Sequence, residues 1–199
     1  CIRDRKKAIF LLLDEYADWE GSYLASALNQ SDTWEVMTAS IQDEVRSMGG
    51  LTTLIDVQLE AVNAYDLLVL IGGKSWHIDN QILNHFVQQA FEQHKPIAAI
   101  CGAVDYLARQ GHLNTYRHTG NAVQLLDQYE NYQPTYPFIA TQVARDKHLV
   151  TANGTAAIPF TAAVQQLIDF DSNDNIERQA YMNQFGFYDY CERYGNPYL

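Results

Sequence analysis

One cysteine occupies an unusual place in the stretch PIAAICGAVD, residues 96–105. Cys101 ends an apolar run typical of a buried strand, and Gly102 opens a stretch typical of a helix. A free cysteine most often packs as a small hydrophobic residue. A nucleophile on a sharp strand-to-helix turn tolerates only small neighbours, and Ala99, Gly102 and Ala103 meet that need. The pattern predicts a reactive thiol whose pKa is lowered by backbone N–H groups at the helix N-terminus.

Two further features could lie beside this thiol if the strands form a doubly wound sheet. Gly72 and Gly73 end the run DLLVLIGG. Because glycine has no side chain, backbone N–H groups there could approach a ligand and form an oxyanion hole together with the N–H of Gly102. A plain tight turn is the alternative interpretation. Glu20 lies near the start of the first predicted helix, and its carboxyl could reach the thiol of Cys101. An acidic first-turn residue favoured by the helix dipole is the alternative.

Strands and helices alternate along the chain and must position these residues. Continuous apolar runs are typical of strands covered on both faces, and amphipathic stretches of helical length lie between them. The predicted strands are 8–13, 33–40, 66–73, 96–101 and two within 137–154, and residues 45–59 are predicted to form a Gly-Gly hairpin or a small excursion before the next crossover. The predicted helices are 18–30 with Asp18 as N-cap, 79–95, 103–111 ending at Gly111, and 155–170. This order predicts an α/β fold, a three-layer doubly wound sandwich around a mostly parallel sheet.

Composition and charge exclude several classes of protein. The 199 residues suit a single domain over 1–199, and 47% hydrophobic with 19% charged residues indicates a globular chain. The net charge of −11 argues against nucleic-acid binding, which needs clustered Lys and Arg. We expect no membrane association and a cytoplasmic location, because the chain has neither a long apolar run nor a secretory signal pattern.

Metal and cofactor motifs are missing from the sequence. The cysteines, Cys1, Cys101 and Cys191, are too few and too scattered for a disulfide framework or a zinc site. The six histidines lack the spacing of a helical zinc motif, and the first strand-to-helix turn lacks a glycine-rich phosphate loop. We therefore expect reduced thiols, no metal and no cofactor.

Several short motifs together resemble one known family. They are AAICGA, an IGG about thirty residues earlier, ADWEG, RHTGN and LVTANGTA. Their order and spacing over residues 7 to about 170 resemble the ThiJ/PfpI superfamily of glutamine-amidotransferase-like proteins. The start DEYADWE and the aromatic tail resemble most its YdeA-like branch, whose members are named as intracellular proteases or amidases.

The resemblance implies a flavodoxin-like, class I glutamine amidotransferase-like fold and a set of roles. Cys101 would be the nucleophile, Glu20 the carboxyl that hydrogen-bonds it, and Gly73 and Gly102 the oxyanion-hole donors. The tail itself predicts a C-terminal aromatic helical extension over residues 173–199, because Tyr181, Phe185 and Tyr188 recur at helical spacing and form one stripe. The resemblance, together with this aromatic tail, predicts a homodimer.

The chain departs from the superfamily where a catalytic base is expected. Members credited with peptidase activity carry a histidine directly after the nucleophile, where this chain has Gly102, and glutaminase relatives carry a late His-x-Glu pair that is absent here. His118 in RHTGN is the first candidate base and His77 the second. An exposed or satisfied loop histidine is the alternative for each. Gly72, His77 and Asn121 are expected to support the site.

The leading functional hypothesis is a cysteine-dependent hydrolase of the intracellular protease or amidase type. A related glyoxalase- or deglycase-like activity would use the same thiolate to form a hemithioacetal with a small carbonyl compound. The substrate would be a peptide or a small molecule. The alternative is a non-catalytic redox or stress-sensing protein in which Cys101 is reversibly oxidised.

Overall fold

The computed structural model describes residues 5–199, so Cys1 lies outside the described residues. The strands are β1 Lys6–Leu11, β2 Trp34–Ser40, β3 Glu44–Arg46, β4 Thr52–Leu54, β5 Val57–Gln58, β6 Leu67–Leu70, β7 Ile97–Ile100, β8 Val143–Asp146 and β9 Leu149–Ala152. The helices are α1 Asp18–Asn29, α2 Gln81–Glu92, α3 Gly102–Arg109, α4 Val123–Leu126, α5 Ala157–Leu167, α6 Asn173–Phe185 and α7 Phe187–Tyr194.

A seven-stranded sheet in the order β5-β2-β1-β6-β7-β9-β8 forms the centre. Its neighbouring strands pair in parallel except β8, which runs antiparallel to β9. From β1 the chain proceeds to β2 on one side, and from β6 it proceeds to β7 on the other. The winding therefore reverses between β1 and β6, and a crevice outside the carboxyl ends of the strands is the usual ligand site at such a point.

Helices cover both faces of the sheet, which explains the continuous apolar runs. Ile9 and Leu11 of β1 belong to the core cluster that includes residues of α2 and α3. The alternate residues Ala8 and Phe10 belong to the cluster that includes residues of α1 and α5. Because successive side chains of a strand point to opposite faces, a strand covered on both sides must be apolar at every position. The predicted three-layer, doubly wound α/β fold is confirmed.

Two local predictions differ from the structure. Asp18 is the first residue of α1 rather than its N-cap, which is Ala17, and the Asp18 carboxylate instead accepts a hydrogen bond from the N–H of Gly49 at 2.7 Å. The aromatic tail forms two helices rather than one continuous stripe, because Gly186, at φ 95°, separates α6 from α7. The hairpin predicted over 45–59 is present as the antiparallel pair β3 and β4. Among residues 5–199, no helix is both long and apolar enough to cross a membrane.

Candidate active site

Cys101 sits on a strained turn between β7 and α3. Its backbone angles are φ 58° and ψ −126°, a conformation that side-chain-bearing residues rarely adopt. The Cys101 N–H donates to the carbonyl of Ala152 at 3.0 Å, which ties the turn to the end of β9. The half-buried Sγ accepts a hydrogen bond from Nδ2 of Asn121 at 3.3 Å. Such strain is costly and is concentrated at functional sites, where the surrounding structure maintains it.

Glu20 lies beside the sulfur and is fully buried. Its Oε2 accepts a hydrogen bond from the N–H of Gly72 at 2.8 Å. Its Oε1 has no hydrogen-bond partner among residues 5–199, and the Cys101 thiol is close enough to act on its pKa. A buried carboxyl with one free oxygen next to a thiol can exchange a proton with it.

Two glycines allow this close approach of Glu20 to Cys101. A Cβ added at Gly72 would lie 2.5 Å from Cβ of Cys101 and 2.5 Å from Oε2 of Glu20. A Cβ added at Gly154 would lie 2.9 Å from Sγ of Cys101 and 3.1 Å from Oε1 of Glu20. Both distances at Gly72, and the first at Gly154, are shorter than van der Waals contact permits. The carboxyl and the thiol therefore share a space that only glycine leaves open.

Burial determines the ionisation of both groups. Burial raises the pKa of Glu20 to about 7, against the opposing effects of the Cys101 thiol and the Gly72 N–H. Burial also raises the pKa of the Cys101 thiol, and the charge on Glu20 adds to this, whereas Asn121 and the Gly102 N–H lower it. The lowered thiol pKa predicted from the sequence is therefore wrong. Glu20 can hold a proton up to neutral pH, as the two groups cannot both be charged without strong repulsion.

Two backbone donors lie next to the thiol. Neither the Gly73 N–H nor the Gly102 N–H makes a backbone hydrogen bond within residues 5–199, and the Gly102 N–H interacts with the sulfur of Cys101. The two glycines are in contact, because a Cβ added at Gly102 would lie 2.6 Å from the carbonyl oxygen of Gly73. Gly73 also has φ 148° and would place a Cβ 2.4 Å from the carbonyl oxygen of Glu15, so no other residue fits there. The expected role of both N–H groups as oxyanion-hole donors stays a prediction.

Neither of the two candidate histidines hydrogen-bonds the sulfur of Cys101. His118 is fully buried, and its ring nitrogens pair with the carbonyl of Tyr116 at 2.8 Å and the hydroxyl of Tyr132 at 2.6 Å. His77 is exposed, and its Nδ1 pairs with the carbonyl of Lys74 at 3.0 Å. Because neither ring hydrogen-bonds Cys101, the geometry gives no support to a histidine base. His118 is therefore a histidine whose two ring nitrogens both have hydrogen-bond partners, which was the alternative interpretation.

Sequence reasoning missed two neighbours of the site. Gly154 follows β9, and its N–H donates to Oδ1 of Asn121 at 2.9 Å. Its carbonyl accepts a hydrogen bond from Nε1 of Trp19 at 2.9 Å. The pairing of β9 with β7, which brings Gly154 to Cys101, leaves no local trace in the sequence. The available signals were the motifs LVTANGTA and ADWEG, which contain Gly154 and Trp19.

A further, half-buried carboxyl lies one turn along α3. Burial raises the pKa of Asp105 to about 6, and its Oδ1 has no hydrogen-bond partner in the described part of the chain. No group of three or more His, Cys, Asp or Glu that could hold a metal ion occurs in residues 5–199.

The class of protein is a flavodoxin-like α/β protein that holds a cysteine on a sharp strand-to-helix turn beside a buried carboxyl. The chain belongs to the DJ-1/PfpI family, whose sequence model matches residues 6–167. It is 55% identical over 196 residues to YdeA of Bacillus subtilis (strain 168), named an uncharacterized protease, with 98% of this chain and 99% of YdeA covered. The family resemblance predicted from the sequence is confirmed.

Solved structures agree with this assignment. A ThiJ/PfpI family protein from Bacillus anthracis superposes with a TM-score of 0.88 at 29% identity, covering 96% of this chain and 95% of its own. A DJ-1 superfamily protein from Agrobacterium tumefaciens superposes with a TM-score of 0.82 at 27% identity, covering 90% of this chain and 99% of its own.

Proposed function

We propose that the protein is a cysteine-dependent enzyme that acts on the carbonyl group of a small molecule. Cys101 is the nucleophile and Glu20 carries the proton. The observation that supports this most directly is the buried Glu20, with a pKa of about 7, beside a thiol that hydrogen-bonds no histidine. A group with a pKa near the working pH is an efficient proton carrier.

Addition of the thiol to an aldehyde suits this pair best. The S–H proton passes to the Glu20 carboxylate while Sγ forms a bond to the carbonyl carbon. The N–H groups of Gly73 and Gly102 stabilise the negative oxygen, and Glu20 then returns the proton to that oxygen. The adduct is a hemithioacetal on Cys101, and its formation needs no oxidant or leaving group. One proton carrier is enough for this step. With a 2-oxoaldehyde, Glu20 then moves a proton from C1 to C2 to give a 2-hydroxyacyl thioester, which water hydrolyses to the 2-hydroxy acid and the free thiol.

Hydrolysis of an amide or peptide bond is the second candidate, and the similarity to YdeA favours it. Here Glu20 would protonate the departing amine and then activate water against the thioester on Cys101. In this route the Glu20 carboxyl must act first as a general acid and then as a general base. The absence of a histidine at the sulfur makes it the more demanding of the two.

A substrate panel tests the proposal. Methylglyoxal, L-leucine p-nitroanilide and casein would be assayed with the wild-type protein, Cys101→Ser and Cys191→Ser. We expect turnover of methylglyoxal that is lost in Cys101→Ser and kept in Cys191→Ser. Turnover of the amide or of casein alone would favour the second candidate. No turnover at all, with Cys101 reversibly oxidised by peroxide, would replace the enzyme by the redox sensor.

A further inference from the structure

A partly exposed tryptophan stands beside the nucleophile. Trp19 directly precedes Glu20 in α1 and is 50% exposed, whereas Trp34 and Trp76 are 3% and 4% exposed. Tryptophan combines a large apolar ring with a polar N–H, and it is enriched at surfaces that bind a partner or ligand. A ring in this position is available to a molecule that enters the site.

Hydrogen bonds connect the indole to the sulfur. Nε1 of Trp19 donates to the carbonyl of Gly154 at 2.9 Å, and the N–H of Gly154 donates to Oδ1 of Asn121 at 2.9 Å. Nδ2 of the same Asn121 donates to Sγ of Cys101 at 3.3 Å. The indole is therefore anchored by its N–H, and Gly154, which has no side chain, lies next to both the indole and the sulfur. A fixed ring loses little conformational freedom when a ligand stacks on it.

We infer that Trp19 forms an aromatic subsite, so that the preferred substrate carries an uncharged aromatic group next to the reacting carbonyl. This inference rests on the proposed function. If Gly73 and Gly102 hold the carbonyl oxygen and Cys101 attacks the carbon, the remaining substituent leads out of the site past Gly154. The carbonyl of Gly154 accepts the indole N–H of Trp19, so a substituent that passes Gly154 would meet the indole. Offset or edge-to-face contact between two rings is favourable beyond the area that it buries.

A titration without catalysis tests the subsite by itself. The indole N–H signals of ¹⁵N-labelled wild-type protein would be followed with acetophenone, an aromatic ketone, and with butan-2-one, an aliphatic one. Trp19→Phe assigns the Trp19 signal, and the buried Trp76, whose Nε1 donates to the carbonyl of Ile71 at 2.7 Å, is the internal reference. We expect acetophenone to shift the Trp19 signal saturably at concentrations about tenfold lower than butan-2-one. Equal shifts, or none with either ketone, would overturn the inference.

Steady-state kinetics test the same subsite in turnover. We expect Trp19→Ala to lower kcat/KM for phenylglyoxal about tenfold more than for methylglyoxal, and Trp19→Phe to keep most of the preference. Tyr23→Ala is the matched control, because Tyr23 is 42% exposed on the same helix. An equal loss for both substrates would mean that Trp19 only tethers Gly154, and would overturn the subsite. If the wild-type protein turns over neither aldehyde, the proposed reaction fails while the ketone titration still decides on the subsite.

Discussion

Replacement of Glu20 by Gln should change how stability depends on pH. Burial raises the pKa of this carboxyl from 4.5 to about 7, so the folded protein binds a proton that the unfolded chain releases between these values. The free energy of unfolding therefore falls as pH rises through this window. The shift corresponds to about 3 kcal/mol, because one pKa unit is about 1.36 kcal/mol. Gln resembles the protonated carboxyl and should not show this loss.

The difference between the two proteins is the quantity to measure. Other buried groups act in the opposite direction, since burial lowers the pKa of His112 to about 4 and its contribution to stability grows as pH rises. Urea denaturation followed by circular dichroism, from pH 4.5 to pH 8 with a reductant present, gives the free energy of unfolding of each protein. We expect Glu20→Gln to gain about 3 kcal/mol relative to wild type across this range.

Asp105→Asn is the matched control, because Asp105 is a half-buried carboxyl of the same site whose pKa is raised by burial to about 6. Its gain over wild type should be complete near pH 6, whereas that of Glu20→Gln should continue to rise up to about pH 7. A difference between Glu20→Gln and wild type that stays flat with pH, or that falls as pH rises, would refute the assignment of Glu20 as a proton carrier.

Three more outcomes are expected. Glu20→Gln should lower the pKa of the Cys101 thiol, because it removes a neighbouring negative charge. Iodoacetamide labelling against pH, with Cys191 read separately by peptide mass, would show this lower pKa. An unchanged or higher midpoint of the Cys101 labelling curve would mean that Glu20 instead donates a proton to the thiolate. Gly154→Ala should slow the labelling of Cys101 about tenfold at fixed pH, because the new methyl carbon would lie 2.9 Å from Sγ; an unchanged rate would contradict this contact. We also propose a homodimer, for which light scattering should give twice the mass of the chain, and a monomer mass would exclude it.

Local patterns were sufficient to predict the architecture. The runs AIFLLL and DLLVLIGG are apolar at every position, and a strand needs this only when helices cover both faces. The small residues around Cys101 likewise predicted the turn, since a sharp strand-to-helix turn excludes large neighbours. Both signals come from residues adjacent in the chain, where backbone sterics and side-chain periodicity act directly.

Long-range packing decided what the site contains. His118 lies in a motif that suggested a base, yet its ring pairs with Tyr132, and the order of the strands instead brings Gly154 to the sulfur. The sign of the thiol pKa shift also depends on tertiary structure. A helix N-terminus alone would lower it, but burial together with the charge of Glu20 outweighs that effect. Desolvation and strand order arise from residues far apart in the chain, so the sequence by itself determined the fold and the turn, and only the folded structure decided the partners of Cys101.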